Sequence, residues 1–260
     1  MQLDNQHNAH DAETLRKSWE GHWEATDIEF AHDDVVSSSP SSNTDIYRPF
    51  VKKWLSAYET PYVLESGCGP GQWLYFVAME SKGTAVGLDL AADTLERVAA
   101  SHTLAAFIKS GRIELVQGDI RSVPLPSNTF DLIFSFGVIE HVKTADSQIA
   151  VNEFYRLLKP GGRALITTPN VWSMHTITRP LSQAFGSWTV GFERSISPRG
   201  LCRYAENAGL HIDEYGVLKT GQLFGAALSS RVPGLVSLSH RIESRQRMLG
   251  FLSFCVARKK

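Results

Sequence analysis

The stretch Val63-Leu64-Glu65-Ser66-Gly67-Cys68-Gly69-Pro70-Gly71 constrains the fold more than any other part of the chain. A short apolar run passes into three glycines at alternate positions, and a helix-like segment, Gln72 to Glu80, follows at once. That order of residues spells a strand, a tight turn and a helix N-terminus. Glycine has no Cβ, so the turn is free to take left-handed dihedrals and a ligand can come against its backbone. Glu65, two residues ahead of the first glycine, places an acid at the carboxyl end of the strand.

The pattern repeats downstream. Strand signals fall at Tyr62 to Ser66, Ala85 to Leu88, Ile113 to Gln117, Leu132 to Ser135 and Ala164 to Thr168, with two more at His211 to Leu218 and Phe251 to Ala257. Helical signals fill the gaps. Ala91 to Ala100 follows the second strand; Gln148 to Leu158 carries Val151, Phe154, Tyr155 and Leu158 on one face until Lys159-Pro160-Gly161-Gly162 stops it. A helix after Ser197-Pro198 turns Leu201, Tyr204, Ala205 and Ala208 inward and closes at Gly209. Alternation of this kind predicts an α/β fold, a Rossmann-like three-layer sandwich on a mostly parallel sheet.

Upstream of this block, Leu15, Trp19 and Trp23 recur every four residues on one face of a helix that is expected to dock on the main body. Ser37 to Ser42, broken only by Pro40, reads as a mobile loop able to act as a lid. Tyr47, Phe50, Val51, Trp54, Leu55 and Tyr58 have helical spacing and read as core, with Tyr47 also a candidate to line a site. Val171 to Glu193 and Thr220 to Gly250 break the alternation, and insertions of such length tend to be functional. The organisation expected is a leader, helix and lid over 1–45, then one domain over 46–260 with cap insertions at about 171–195 and 220–250.

Composition narrows the partners. With 260 residues, 43% hydrophobic and 20% charged, the chain can bury a large core, and its net charge of -1 provides no field to recruit nucleic acid. Small-molecule partners are expected. The three cysteines, Cys68, Cys202 and Cys255, are too few and too far apart for a disulfide framework or a zinc site. His7 and His10 have no third ligand nearby and read as solvated. Residues 1–14 lack the basic start and apolar core of a secretion signal, and no apolar run is long enough to span a bilayer, so a cytoplasmic monomer or homodimer without stable membrane insertion is expected.

In an open parallel sheet, ligands bind outside the carboxyl ends of the strands. Those ends carry acids: Glu65 on the first strand, Asp89 on the second, Asp119 after the third, and Glu140-His141 beyond the fourth. An acid at the position of Asp89 can accept from both hydroxyls of a ribose. A nicotinamide-dependent oxidoreductase shares that fingerprint. It requires a small residue where this chain has Gln72, and Glu65 would repel a pyrophosphate while attracting an ammonium group. The preference is for an amino-acid nucleoside.

The segments VLESGCGPG, AVGLDLA, VQGDIRSVPLPSNTFDLIFSFGVIEHV and EFYRLLKPGGRALITTPN follow one another over residues 46 to 170 in a way that resembles the class I S-adenosylmethionine-dependent methyltransferases, particularly the type 11 group that includes quinone-biosynthesis enzymes. The resemblance implies a seven-stranded sheet in the order 3-2-1-4-5-7-6 with strand 7 antiparallel. It implies S-adenosyl-L-methionine as cofactor, with Glu65 by the methionine amino group, Gly67 and Gly69 admitting the backbone, Asp89 on the ribose and Gln72 as an extra contact. Leu90 would pack on the adenine, Asp119 would accept from its amine, the Ile120 N–H would reach a ring nitrogen, and the Phe136 carbonyl would face the methionine ammonium.

Methyl transfer demands mainly placement of the acceptor atom. A hydroxyl or ammonium acceptor also needs a base, for which His141 has a suitable unperturbed pKa of about 6.5. Tyr47, Trp19 and Trp73 are candidates to face the sulfonium. Asn170, Trp172, His175 and Phe192 to Arg194 come from the segment expected to roof the site, and their character suits a small apolar or aromatic acceptor methylated on oxygen or nitrogen. A non-catalytic cofactor-binding subunit that supports a partner is the alternative.

Overall fold

The computed structural model describes residues 12–24, 27–29, 31, 44–173, 176, 179, 191–218, 232, 234, 237–238, 241–242 and 250–260. His7, His10, the serine-rich loop 37–42, His175 and most of the cap at 220–250 lie outside the described residues. The elements, in chain order, are α1 (Ala12–Glu24), α2 (Thr44–Leu55), β1 (Tyr62–Ser66), α3 (Gln72–Glu80), β2 (Thr84–Asp89), α4 (Ala92–Ala99), α5 (Ala105–Lys109), β3 (Ile113–Gln117) and β4 (Phe130–Phe136). A 3-10 turn (Ile139–His141) leads to α6 (Thr144–Leu157), β5 (Leu158–Pro169), α7 (Pro198–Asn207), β6 (His211–Leu218) and β7 (Leu252–Arg258).

The strands form one sheet in the order β3-β2-β1-β4-β5-β7-β6. Pairs from β3 through β5 are parallel, and β7 runs antiparallel to both β5 and β6. Strands buried on both faces need apolar residues at nearly every position, and alternate side chains go to opposite sides of the sheet. Thus Val63 joins a core with Phe50, Val51, Trp73, Leu74, Leu95 and Val98, while Leu64 joins a second core with Val151, Phe154, Leu201 and Ala205. The first core sits under α2, α3 and α4, the second under α6 and α7. At the far end of the sheet from the glycine turn, the Asp131 carboxylate accepts from the Tyr62 N–H at 2.9 Å and from Lys159 Nζ at 3.0 Å. It ties β1, β4 and β5 together there, a structural role.

Two boundaries differ from the sequence reading. Lys159 to Gly162 do not turn the chain between helix and strand: Leu158 is already extended, and β5 runs through them. Gly161, at φ +83, and a register shift between Phe130 and Leu132 absorb the irregularity. Helix α6 begins at Thr144, four residues before the apolar periodicity, because the Ser147 hydroxyl donates to Ile139 O at 2.6 Å and anchors the first turn. Of its expected inward face, Val151 and Phe154 are buried, whereas Tyr155 lies at the surface with Lys259 Nζ 4.5 Å from its ring centroid.

Candidate active site

The glycine turn is built by backbone geometry. The N–H groups of Gly67 and Cys68 both donate to Leu88 O, at 2.8 and 3.0 Å, which holds the turn against the end of β2. Gly67, Gly69 and Gly71 all have positive φ, at 80°, 48° and 77°. A Cβ on Gly67 would lie 2.6 Å from a Val138 methyl, and one on Gly69 would lie 2.9 Å from the Trp23 indole. Both space and dihedral therefore demand glycine.

Asp89, at the end of β2, is buried and accepts from Gly69 N at 2.8 Å and Ala91 N at 2.9 Å. Burial raises its pKa, opposed by these backbone bonds. Glu65 is buried as well, and its Oε2 has no hydrogen-bond partner among the described residues. Burial, with the nearby Asp89 charge, pushes its carboxyl well above the usual range despite a bond from the Leu74 N–H. Such an orphaned acceptor is costly unless a ligand satisfies it.

Above the turn lies a cavity of about 240 Å³. Gly67, Gly69, Asp89, Leu90, Asp119 and Ile120 line one part of it. Phe136, Gly137, Val138, His141 and Val142 follow, and Leu15, Trp19, His22 and Trp23 of α1 close it. Helix α1 is fastened at its C-terminal end, where Arg97 Nη1 donates to Trp23 O at 2.6 Å. Beyond it, Glu29 accepts from His102 N at 2.8 Å and from the Thr103 hydroxyl, which holds its pKa down to about 2.

The Asp119 carboxylate lines the cavity with both oxygens already bonded to Arg121, Nε at 2.9 and 3.0 Å. Burial works to raise its pKa, and the bonds and charge of Arg121 outweigh it and hold the group low. Arg121 was not among the sequence candidates; its spacing two residues after the acid was the available signal.

His141 is buried, with Nδ1 2.8 Å from Phe192 O and its ring 4.7 Å from Trp19, edge to face at 90°. A carbonyl only accepts, so Nδ1 carries the proton and Nε2 keeps its lone pair. Burial lowers the His141 pKa; the Phe192 carbonyl and Glu193 oppose this, while His22 and Arg179 add to it. The strap that carries Phe192 is pinned by Arg194, which donates to Val142 O at 3.1 Å and Ser147 Oγ at 2.6 Å, with its own N–H on Glu140 O at 3.1 Å.

The remaining candidates sit elsewhere. Tyr47 does not line the cavity: its ring lies behind Phe136 at 4.8 Å, and its hydroxyl bonds Thr167 Oγ1 at 2.9 Å. Trp73 is buried in the core beside it. Gln72 opens α3 away from the cavity lining, and Glu65 lies beneath it. Asn170 is fully buried as a joint, its Nδ2 donating to Gly250 O at 3.0 Å and its Oδ1 accepting from Ser253 Oγ at 3.2 Å. Trp172 is 59% exposed and outside the cavity. His22, Trp23 and Leu15 are lining residues that the sequence reading did not single out for the site.

A sheet in this order, with a glycine turn after β1 and acids ending β1 and β2, defines the Rossmann-like fold of the class I S-adenosylmethionine-dependent methyltransferases. Residues 63–162 match the methyltransferase domain family. It is 31% identical over 153 residues to the probable methyltransferase ltbC of Aspergillus luteorubrus, covering 57% of this chain and 50% of the relative. It is 34% identical over 105 residues to the demethylmenaquinone methyltransferase of Lactiplantibacillus plantarum, covering 39% of this chain and 42% of the relative. The chain thus spans about half or less of the length of these curated relatives. The fold resembles that of an S-adenosylmethionine-dependent methyltransferase from Mesorhizobium loti, with TM-score 0.59 and 17% identity over 82% of this chain and 98% of that one. Among the described residues no helix is long and apolar enough to cross a membrane, and no three His, Cys, Asp or Glu residues could hold a metal ion.

Proposed function

We propose that the protein transfers a methyl group from S-adenosyl-L-methionine to an oxygen or nitrogen of a small apolar or aromatic acceptor. The observation that carries the reading is Glu65, a buried acid with an unsatisfied oxygen beside a turn where a Cβ would collide with its neighbours. An ammonium group is the complement of that acid. Gly67 and Gly69 let the cofactor approach the backbone, and Asp89 keeps further lone pairs for ribose hydroxyls beyond the two backbone bonds it accepts. Leu90 would pack on the adenine, the Ile120 N–H would reach a ring nitrogen, Asp119 would be its polar neighbour, and the Phe136 carbonyl would face the methionine ammonium. Because Arg121 holds Asp119, that residue contributes a partial acceptor rather than a free carboxylate.

When bound, the cofactor supplies a methyl carbon on a sulfonium, whose carbon–sulfur electron pair leaves with sulfur as the methyl passes to the acceptor. The chain's own contribution is orientation, exclusion of water by α1, and a place for the acceptor's proton. His141 Nε2 takes that proton, since its tautomer is fixed by the Phe192 carbonyl.

Incubating the protein with methyl-labelled S-adenosylmethionine and mixtures of candidate acceptors, read by mass spectrometry, tests the reading. A labelled product is expected. Tight binding of NADH without any S-adenosyl ligand would overturn it, and cofactor binding without turnover on every acceptor would point to a supporting subunit.

A further inference from the structure

The charges around the cavity restrict what can be methylated there. Among the described residues no lysine or arginine lines it, and the carboxylates that do are engaged: Asp89 by two backbone N–H groups and Asp119 by Arg121. Glu140 is buried outside the lining. An anionic acceptor would find no counter-charge among these residues, and a cationic one would find beside His141 only that buried carboxyl, whose Oε1 lies 4.0 Å from His141 Nε2 and whose neutral form burial favours. What faces the cavity at that end is rings. Trp19 stands perpendicular to both imidazoles, at 4.7 Å and 90° from His141 and at 5.3 Å and 88° from His22. Trp23, one turn on, lies roughly parallel to Trp19 at 6.0 Å and reaches over Gly69. Positions four apart share a helix face, so α1 runs along the cavity from His141 to the glycine turn.

We propose that α1 supplies half of the acceptor site, and that Trp19 and His22, facing His141, select a neutral aromatic acceptor bearing a hydroxyl. This rests on the methyltransferase reading and narrows it to O-methylation. The indole and the apolar walls of Leu15, Val138 and Val142 cover the flat part of the acceptor. His141 Nε2 accepts the hydroxyl hydrogen, and it keeps that proton when the oxygen takes the methyl. Burial lowers the pKa of both histidines, so neither presents a fixed positive charge at neutral pH.

The test uses the full chain saturated with S-adenosylhomocysteine and three probes that share one ring system: 2-naphthol, 2-naphthoate and 2-naphthylmethylammonium. By calorimetry, 2-naphthol should bind at least tenfold more tightly than either charged probe. Trp19→Leu and His22→Leu should each weaken 2-naphthol about tenfold, which corresponds to about 1.4 kcal/mol, with S-adenosylhomocysteine affinity held within twofold. The two variants lose different contacts, and circular dichroism identifies either one if it fails to fold. Equal or tighter binding of a charged probe overturns the proposal, as does 2-naphthol binding indifferent to the folded α1 variants. If wild-type protein fails to bind S-adenosylhomocysteine, the methyltransferase reading fails and takes this proposal with it, an outcome distinct from the other two.

Discussion

The floor and the roof of the cavity are built by different means. The floor comes from two adjacent strand ends, β1 and β2, and is made largely of backbone: Gly67 and Cys68 donating to Leu88 O, Gly69 donating to Asp89. The roof comes from α1 and from His141, which the strap at 191–196 holds through Phe192 O; these parts come together over more than a hundred residues and are held by side chains, Arg97 on Trp23 O and Arg194 on the 139–147 segment. Floor residues should govern cofactor affinity and roof residues the acceptor chemistry. A variant that moves both in equal measure would break the distinction.

The largest expected effect is on the roof side. His141→Gln should lower turnover on an identified acceptor by about 10²–10⁴-fold, the usual range for loss of a general base, with S-adenosylmethionine affinity unchanged in calorimetry. Its pH profile sharpens the same point. Burial, reinforced by His22 and Arg179 and opposed by Phe192 O and Glu193, lowers the His141 pKa. The base is lost only as pH falls through that lowered value, so the acidic limb of the kcat/KM profile should lie below the unperturbed value of about 6.5. A limb above it would contradict the environment described.

On the floor, Asp89→Ala should weaken S-adenosylmethionine about 100-fold, since charge-assisted bonds contribute about 1.5–3 kcal/mol each, and it should leave Gly69 N and Ala91 N without their present acceptor. A subtler effect belongs to Glu65. Burial raises its pKa, so in the free protein the carboxyl holds its proton to higher pH than an ordinary glutamate does. A bound ammonium favours the carboxylate, so binding should expel a proton. Affinity should then rise by up to about tenfold per pH unit until the free protein's own Glu65 ionises. Calorimetry in buffers of different ionisation enthalpy measures that proton, and Glu65→Gln should abolish it; a wild-type enthalpy that is independent of buffer would count against Glu65 as the ammonium's partner.

The same division explains what could be read from sequence. The floor is contiguous: Gly67, Gly69 and Asp89 each follow from local strand, turn and helix chemistry, and all three are found lining the cavity. The seven strands were legible for the same reason, because apolar runs bounded by turn residues are a local signal. The roof is not local. Trp19 and Trp23 announced a helix face, yet nothing in their spacing said that the face would lie on Gly69 rather than on a helix of the core. His22 gave no signal because it stands outside the four-residue repeat of Leu15, Trp19 and Trp23. Tyr47 is drawn instead into a hydroxyl bond with Thr167, a partner 120 residues away.

Asn170 and Trp172 show the same contrast at its smallest scale, because they are near neighbours at the end of β5 and both have the character of acceptor contacts. Asn170 is consumed in holding the fold together. Its amide bridges Gly250 O and Ser253 Oγ, and its backbone N–H reaches Phe251 O at 2.9 Å. Asn170→Ala should therefore cost about 1–3 kcal/mol of stability in denaturant melts, the penalty of unpaired buried polar groups, with cofactor affinity within twofold of wild type. Trp172, 59% exposed, has no comparable duty. Trp172→Ala should change stability by less than about 0.5 kcal/mol, as exposed positions do, and leave acceptor KM where it was. A rise in KM for Trp172→Ala would mean that the segment after β5 folds over the cavity when an acceptor is bound, and that the roof extends beyond α1 and His141.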